Sequence, residues 1–174
     1  MKKITFGVIV GNRGFFPDAL AKEGRKNIMA VLRENGYNAV ALKLNDTKFG
    51  AVETYAEAKQ CAALFAQNAG KIDGLIVTLP NFGDEKGVAE AIKQSGLQCP
   101  ILIHAEQDDQ ANMLMGARRD SFCGKISVCN NLVQAGIPFT LTSQHTVAVT
   151  SEAFQQDLAR FAAVLLPNIS AAAF

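Results

Sequence analysis

Five short runs of β-branched or aliphatic residues, ITFGVIV, AVALKL, GLIVTL, PILIH and PFTLTS, are each followed by a longer segment of helical period. That alternation constrains the fold more than any other feature of the chain. Strands that recur only after a dozen or more residues are joined by crossovers and lie parallel, and a helix is the usual crossover. The strand runs are almost continuously apolar, so both faces of the sheet must be covered. The sequence therefore predicts one α/β domain over residues 1–174, a doubly wound, flavodoxin-like three-layer sandwich around a five-stranded parallel sheet.

The helical segments carry apolar stripes with the spacing of a single buried face. Leu20, Gly24, Ile28, Val31 and Leu32 align in the first, and Ala58, Cys61, Ala62, Phe65 and Ala69 in the second. Phe122, Ile126, Cys129 and Val133 align in the fourth, and Phe154, Leu158, Phe161 and Leu165 in the fifth. Gly36, Gly70, Gly96 and Gly136 each precede a strand by a few residues and read as helix stops. Pro17 suits a first helical turn, while Ser151 and either Asp120 or Ser121 are N-cap candidates.

A chain of 174 residues is long enough to bury roughly 70% of its unfolded surface in one core. Its 17 basic and 16 acidic side chains are interspersed, and Arg118 and Arg119 are followed at once by Asp120, so no basic footprint for nucleic acid emerges. The apolar run of MKKITFGVIVGNR stops at Gly11 without a cleavage site, and no later stretch approaches the roughly 18 apolar residues of a membrane span. Cys61, Cys99, Cys123 and Cys129 form no CxxC pair and read as buried thiols, which points to a reducing, cytoplasmic setting.

In open parallel sheets ligands lie beyond the carboxyl ends of the strands, and every strand here is followed there by polar residues. Asn12 and Arg13 follow the first; Asn45, Asp46, Thr47 and Lys48 the second; Asn81, Phe82, Asp84 and Glu85 the third. His104, Glu106, Gln107, Asp108 and Asp109 follow the fourth, and Ser143, Gln144, His145 and Thr146 the fifth. Gly11-Asn-Arg-Gly14 satisfies neither the dinucleotide fingerprint nor the P-loop, and Thr78-Leu79-Pro80 lacks the aspartate of a receiver domain. What remains is a turn that presents a guanidinium and an amide beside aromatic rings. Such a turn suits a polyol, whose hydroxyls accept from Arg and Asn while its C–H face packs on a flat ring. The blander reading makes Phe15 and Phe16 core residues and Arg13 a solvated surface charge. His104 and Glu106, two apart, share a strand face and are metal-ligand types, although that spacing selects no metal and the following acids also suit caps. Ser121 and Cys123, at a helix start, have no identifiable base.

The stretch SFCGKISVCNNLVQAGIPFTLTSQHTVAV, together with the glycine-bounded first loop and TLPNFGDEKG, resembles the N-terminal domain of the L-fucose isomerase and L-arabinose isomerase superfamily. The likeness runs from Ile4 to about Leu166 and is most specific from Asp120 to His145. It implies an aldose–ketose isomerase that works through an enediol with a divalent metal, usually Mn²⁺. In that family the metal ligands and catalytic carboxylates lie in a second and third domain, so the resemblance implies no catalytic residue, no metal ligand and no resident cofactor in this chain, and Mn²⁺ in a full-length parent. It also implies a homo-oligomer in which the N-terminal domain helps close the sugar site of a neighbouring subunit. By this resemblance Arg13 and Phe82 contact the monosaccharide, with Asn12, Asn81 and His145 as weaker carry-overs.

The apolar AAAF end favours an excised or truncated domain over a natural short protein. Two rival expectations stand beside this one. One is a stand-alone sugar-binding module similar to one lobe of a periplasmic or repressor-type binding protein, and the other is a small enzyme that uses His104, Glu106 or His145.

Overall fold

The computed structural model describes residues 3–114 and 116–166; the AAAF end lies outside the described residues. The chain runs β1 (Thr5–Val10), α1 (Asp18–Glu34), β2 (Asn38–Val40), a single 3₁₀ turn at Lys48–Gly50, then α2 (Tyr55–Gln67), β3 (Gly74–Leu79) and α3 (Glu85–Ser95). It continues through β4 (Ile101–Ala105), α4 (Ser121–Gln134), β5 (Thr140–Leu141) and α5 (Glu152–Leu165). All strand pairings are parallel, in the spatial order β2-β1-β3-β4-β5. This is the doubly wound, flavodoxin-like arrangement.

The period of two along the central strands builds two cores. Phe6, Val8, Val10, Ile76 and Leu102 point to α1 and α5, where they meet Ile28, Leu32, Phe154, Leu158 and Phe161. Ile9, Leu75, Val77, Leu79, Ile101 and Ile103 point the other way, to α2, α3 and α4, against Phe65, Val88, Ile92, Val128 and Leu132. Burying each large side chain stabilises the fold by about 1.5–3 kcal/mol before entropy is counted. β1, β3 and β4 are buried throughout.

The edge strands are shorter than their apolar runs. β2 stops at Val40 and β5 at Leu141, with partly or fully exposed residues. Each has one neighbour, so the ladder ends wherever the loop finds other partners: Lys43 N donates to Asp46 at 2.8 Å, and Thr142 turns to receive Lys125 Nζ at 2.7 Å. Of the four expected glycine stops, Gly36, Gly96 and Gly136 have the left-handed φ of 77°, 68° and 68°, whereas Gly70 is not among the positive-φ residues. Ser151 caps α5 through Phe154 N, Asp84 caps α3 through Gly87 N, and Thr54 with Glu57 forms a capping box on α2. Pro17 stands one residue before α1, at its N-cap.

Helix α4 lies one residue, about 100°, away from its expected rotation. Phe122, Ile126 and Val133 face solvent, and Ser121, Gly124, Lys125, Val128 and Leu132 face inward. Two contacts fix this orientation. A Cβ on Gly124 would fall 1.6 Å from the carbonyl oxygen of Phe82, so only glycine fits at that crossing. The Lys125 ammonium reaches inward to Thr142 Oγ1 at 2.7 Å, His145 O at 2.9 Å and Gln144 O at 3.3 Å.

Candidate functional site

The strand order reverses between β1 and β3: the chain leaves β1 for α1 on one face and leaves β3 for α3 on the other, so the loops diverge and open a crevice at the carboxyl edge. A cavity of about 240 Å³ occupies that place, lined by Arg13, Phe15, Phe16, Phe82, Arg118 and Asp120. Three segments build it, following β1, following β3 and preceding α4.

Arg13 is the pivot of the near wall. Its guanidinium carbon lies 4.5 Å from the Phe82 ring centroid and 5.9 Å from that of Phe15, within range of cation–π attraction. Its Nη2 stands 3.4 Å from Glu85 Oε2, at the start of α3. Phe16 packs between the other two rings, at 5.7 Å from Phe82 and 4.9 Å from Phe15. The two phenylalanines divide the roles left open by the sequence: Phe16 is 9% exposed and Phe15 is 65% exposed at the rim.

Asn12 and Asn81 lie behind this wall rather than in it, 1% and 0% exposed. Asn81 Nδ2 donates to Asn12 Oδ1, Asn12 Nδ2 donates to Glu53, and Gly83 N donates to Asn81 Oδ1 at 3.3 Å. This buried amide pair ties the segments after β1 and β3 to each other and to the strand-like segment at Val52, whose carbonyl accepts Asn12 N at 3.1 Å. Both asparagines thus position Arg13 and Phe82.

The far wall comes from residues that the sequence shows only as scattered charges. Arg118 and Asp120 form an ion pair at the cavity, and Arg119 Nη1 donates to Pro80 O at 2.8 Å, stapling this segment to the β3 loop. Asp120 holds a φ of 50°, the left-handed region that few non-glycine residues occupy. It occupies the N-cap position of α4, yet its side chain makes no capping bond. That duty falls to Asp108, whose carboxylate accepts from Ser121 N at 2.7 Å and Phe122 N at 3.1 Å. The Arg-Arg-Asp run closes the loop before α4, but its place in the wall depends on the tertiary contact of Asp108 with α4.

His145 lies apart from the cavity lining. It is exposed, and its ring sits 5.0 Å from that of Phe122 on the outer face of α4.

His104 is fully enclosed. Nε2 lies 2.7 Å from Val147 O and so carries the proton, which leaves Nδ1 to accept from Thr78 Oγ1 at 2.9 Å. Burial pushes its pKa down to about 4, with the Lys125 charge adding to the effect and the Val147 bond opposing it. Both nitrogens are engaged, and the Glu106 oxygens accept from Gln107 N at 3.2 Å and Val149 N at 3.3 Å. This pair therefore does not fit a Mn²⁺ site, and among the described residues no group of three or more His, Cys, Asp or Glu stands close enough to hold a metal ion.

The cysteines are less uniform than expected: Cys61 is buried, with its thiol pushed up to about 12 by desolvation, but Cys123 is exposed. Ser121 Oγ is buried without a partner. Among the described residues no hydrogen bond links the Ser121 hydroxyl or the Cys123 thiol to a side-chain base. Among the described residues no helix is long and apolar enough to cross a membrane.

Residues 7–166 match the model of the fucose/sulfoquinovose isomerase N-terminal domain. No curated protein matches the chain.

Proposed function

The chain belongs to the fucose/sulfoquinovose isomerase N-terminal domain family, and on that premise we propose that its carboxyl sheet edge is the sugar-recognising wall of a metal-dependent aldose–ketose isomerase. One observation carries the reading: the Arg13 guanidinium rests 4.5 Å over the Phe82 ring in a cavity at the β1/β3 switch point. The guanidinium donates to hydroxyl oxygens, and the aromatic surface beside it takes the C–H face of the same sugar. Asn12 and Asn81 hold the two loops at the spacing this requires.

The wall selects and orients; it moves no proton. Mn²⁺ and the carboxylates that shift hydrogen between adjacent carbons belong, in this reading, to parts of the assembly other than these residues. The cavity, at about 240 Å³, falls below the roughly 300–1,000 Å³ of complete ligand sites. That size fits half of a pocket, completed by a neighbouring subunit against the exposed Phe15 rim, and it argues against the stand-alone sugar-binding module.

Two measurements test the proposal. The 174-residue chain with Mn²⁺ is expected to isomerise L-fucose and L-arabinose no faster than a protein-free control, and turnover above that control overturns it. Calorimetric titration with the same sugars is expected to give dissociation constants of about 1 mM or weaker, near −4 kcal/mol. Micromolar affinity establishes the self-sufficient binder instead.

A further inference from the structure

Arg118 and Asp120 have no part in the recognition just described, although both line its cavity. We infer that the Asp120–Arg118 pair sets the charge selectivity of the pocket, so that it accepts an uncharged polyol and rejects a sugar bearing a phosphate or sulfonate. The inference rests on the sugar-facing reading of the same cavity.

Each guanidinium at the cavity already has a carboxylate of its own: Arg13 has Glu85, and Arg118 has Asp120. The four formal charges cancel. An anionic group entering here loses its hydration, gains no net attraction and faces the Asp120 carboxylate at close range. A hydroxyl entering the same space suffers none of this.

A polyol presents donors as well as acceptors, and a wall of arginines and phenyl rings satisfies only its acceptors. Among the described residues that line the cavity, Asp120 is the only one whose side chain accepts and cannot donate. Its carboxylate takes hydroxyl protons while Arg13 and Arg118 serve the oxygens, so the ligand is bonded on both counts.

The local structure frees Asp120 for this use. An aspartate at an N-cap ordinarily accepts from its own helix. Here Asp108 accepts from the first-turn amides instead, and the Asp120 backbone adopts a φ of 50° that turns its side chain to Arg118. Left-handed backbone at a non-glycine residue is strained, and no capping bond offsets it.

The test is an NMR titration of the ¹⁵N-labelled chain with three probes separately, L-fucose, glucose 6-phosphate and sulfoquinovose, and with inorganic phosphate as a control. L-fucose is expected to shift amides at residues 13–16, 82–83 and 118–121, and to bind at least about tenfold tighter there than either anionic sugar. In Asp120→Asn, which keeps the shape and removes the charge, the order is expected to reverse, because Arg118 is left without its counter-charge. Arg118→Met, a second variant in case Asp120→Asn loosens α4, is expected to weaken L-fucose about tenfold without any gain for the anions. Wild-type preference for the phosphate or sulfonate, or an unchanged ratio in Asp120→Asn, overturns this inference and leaves the sugar-facing reading intact. Absence of shifts at these residues with every sugar overturns both.

Discussion

At the scale of single residues, Arg13 does two things at once: it stacks on Phe82 and it faces Glu85. The ion pair is partly exposed, with side-chain exposures of 30% and 17%, and such pairs contribute about 1 kcal/mol or less. Stacking is the property that lysine cannot reproduce, since an ammonium is a point charge with neither a planar face nor a fork of donors. Arg13→Lys is therefore expected to change unfolding free energy by under about 1 kcal/mol in urea titration while weakening L-fucose-induced NMR shifts about tenfold. A variant that keeps full sugar response places recognition elsewhere. That Arg13 and Phe82 share this cavity is legible in the sequence, because each follows a strand at the carboxyl edge of an open sheet. Arg118 and Asp120 are not, since the turn of Asp120 toward the cavity depends on Asp108, whose capping of α4 is a tertiary contact. His145 is the reverse case: it follows β5 at the same sheet edge, but its ring packs on Phe122 apart from the described cavity lining.

Among the elements, α4 is the one whose orientation decides the shape of the site. Its sequence carries two stripes of equal period, one of Phe122, Ile126, Cys129 and Val133, the other of Ser121, Gly124, Lys125, Val128 and Leu132. Hydrophobicity alone chooses the first. The molecule uses the second, because close backbone approach at Gly124 and a lysine with three oxygen partners outweigh the exposure of a few apolar side chains. No periodicity argument sees either contact. A Cβ at Gly124 would meet three backbone atoms of Phe82, at 1.6, 2.4 and 2.7 Å, and backbone cannot step aside as a side-chain tip does. Gly124→Ala is thus expected to cost about 3 kcal/mol or more in urea unfolding and to move the amide resonances of Phe82 and Gly83. Gly136→Ala serves as the contrast: nothing lies within 4 Å of a Cβ there, although its φ of 68° still strains alanine, so the loss is expected near 1 kcal/mol with Phe82 unmoved.

Over the whole molecule, the alternation of strands and helices suffices to read the doubly wound sheet, and its central strands are the part read best because they are buried on both faces. The edge strands are read too long, since a strand with one neighbour is ended by loop contacts as much as by its own residues. His104 gives this architecture a measurable signature. It stands on β4, bonded to Thr78 on β3 and to Val147 in the segment after β5, with the Phe154 ring of α5 at 4.6 Å. Protonation would place a charge in that enclosed spot and abolish the acceptor nitrogen that Thr78 requires. With a folded pKa of about 4 against an ordinary 6.5, the unfolded chain binds a proton in that window which the folded chain refuses. Stability therefore rises with pH between about 4 and 6.5 and is lost as the pH falls through it, by a total on the order of 3 kcal/mol. Glu106 acts with the opposite sign: burial raises its folded pKa, so its protonation favours the folded state and part of the acid loss is offset. Urea unfolding measured from pH 7 to pH 4 is expected to show the decline in wild type. His104→Gln, which offers an amide donor to Val147 but no titrating group, is expected to start less stable at pH 7 and to show a markedly flatter profile across the same range. An equally steep decline in that variant moves the acid sensitivity to other groups and removes His104 as the buried neutral tie between the central strands and α5.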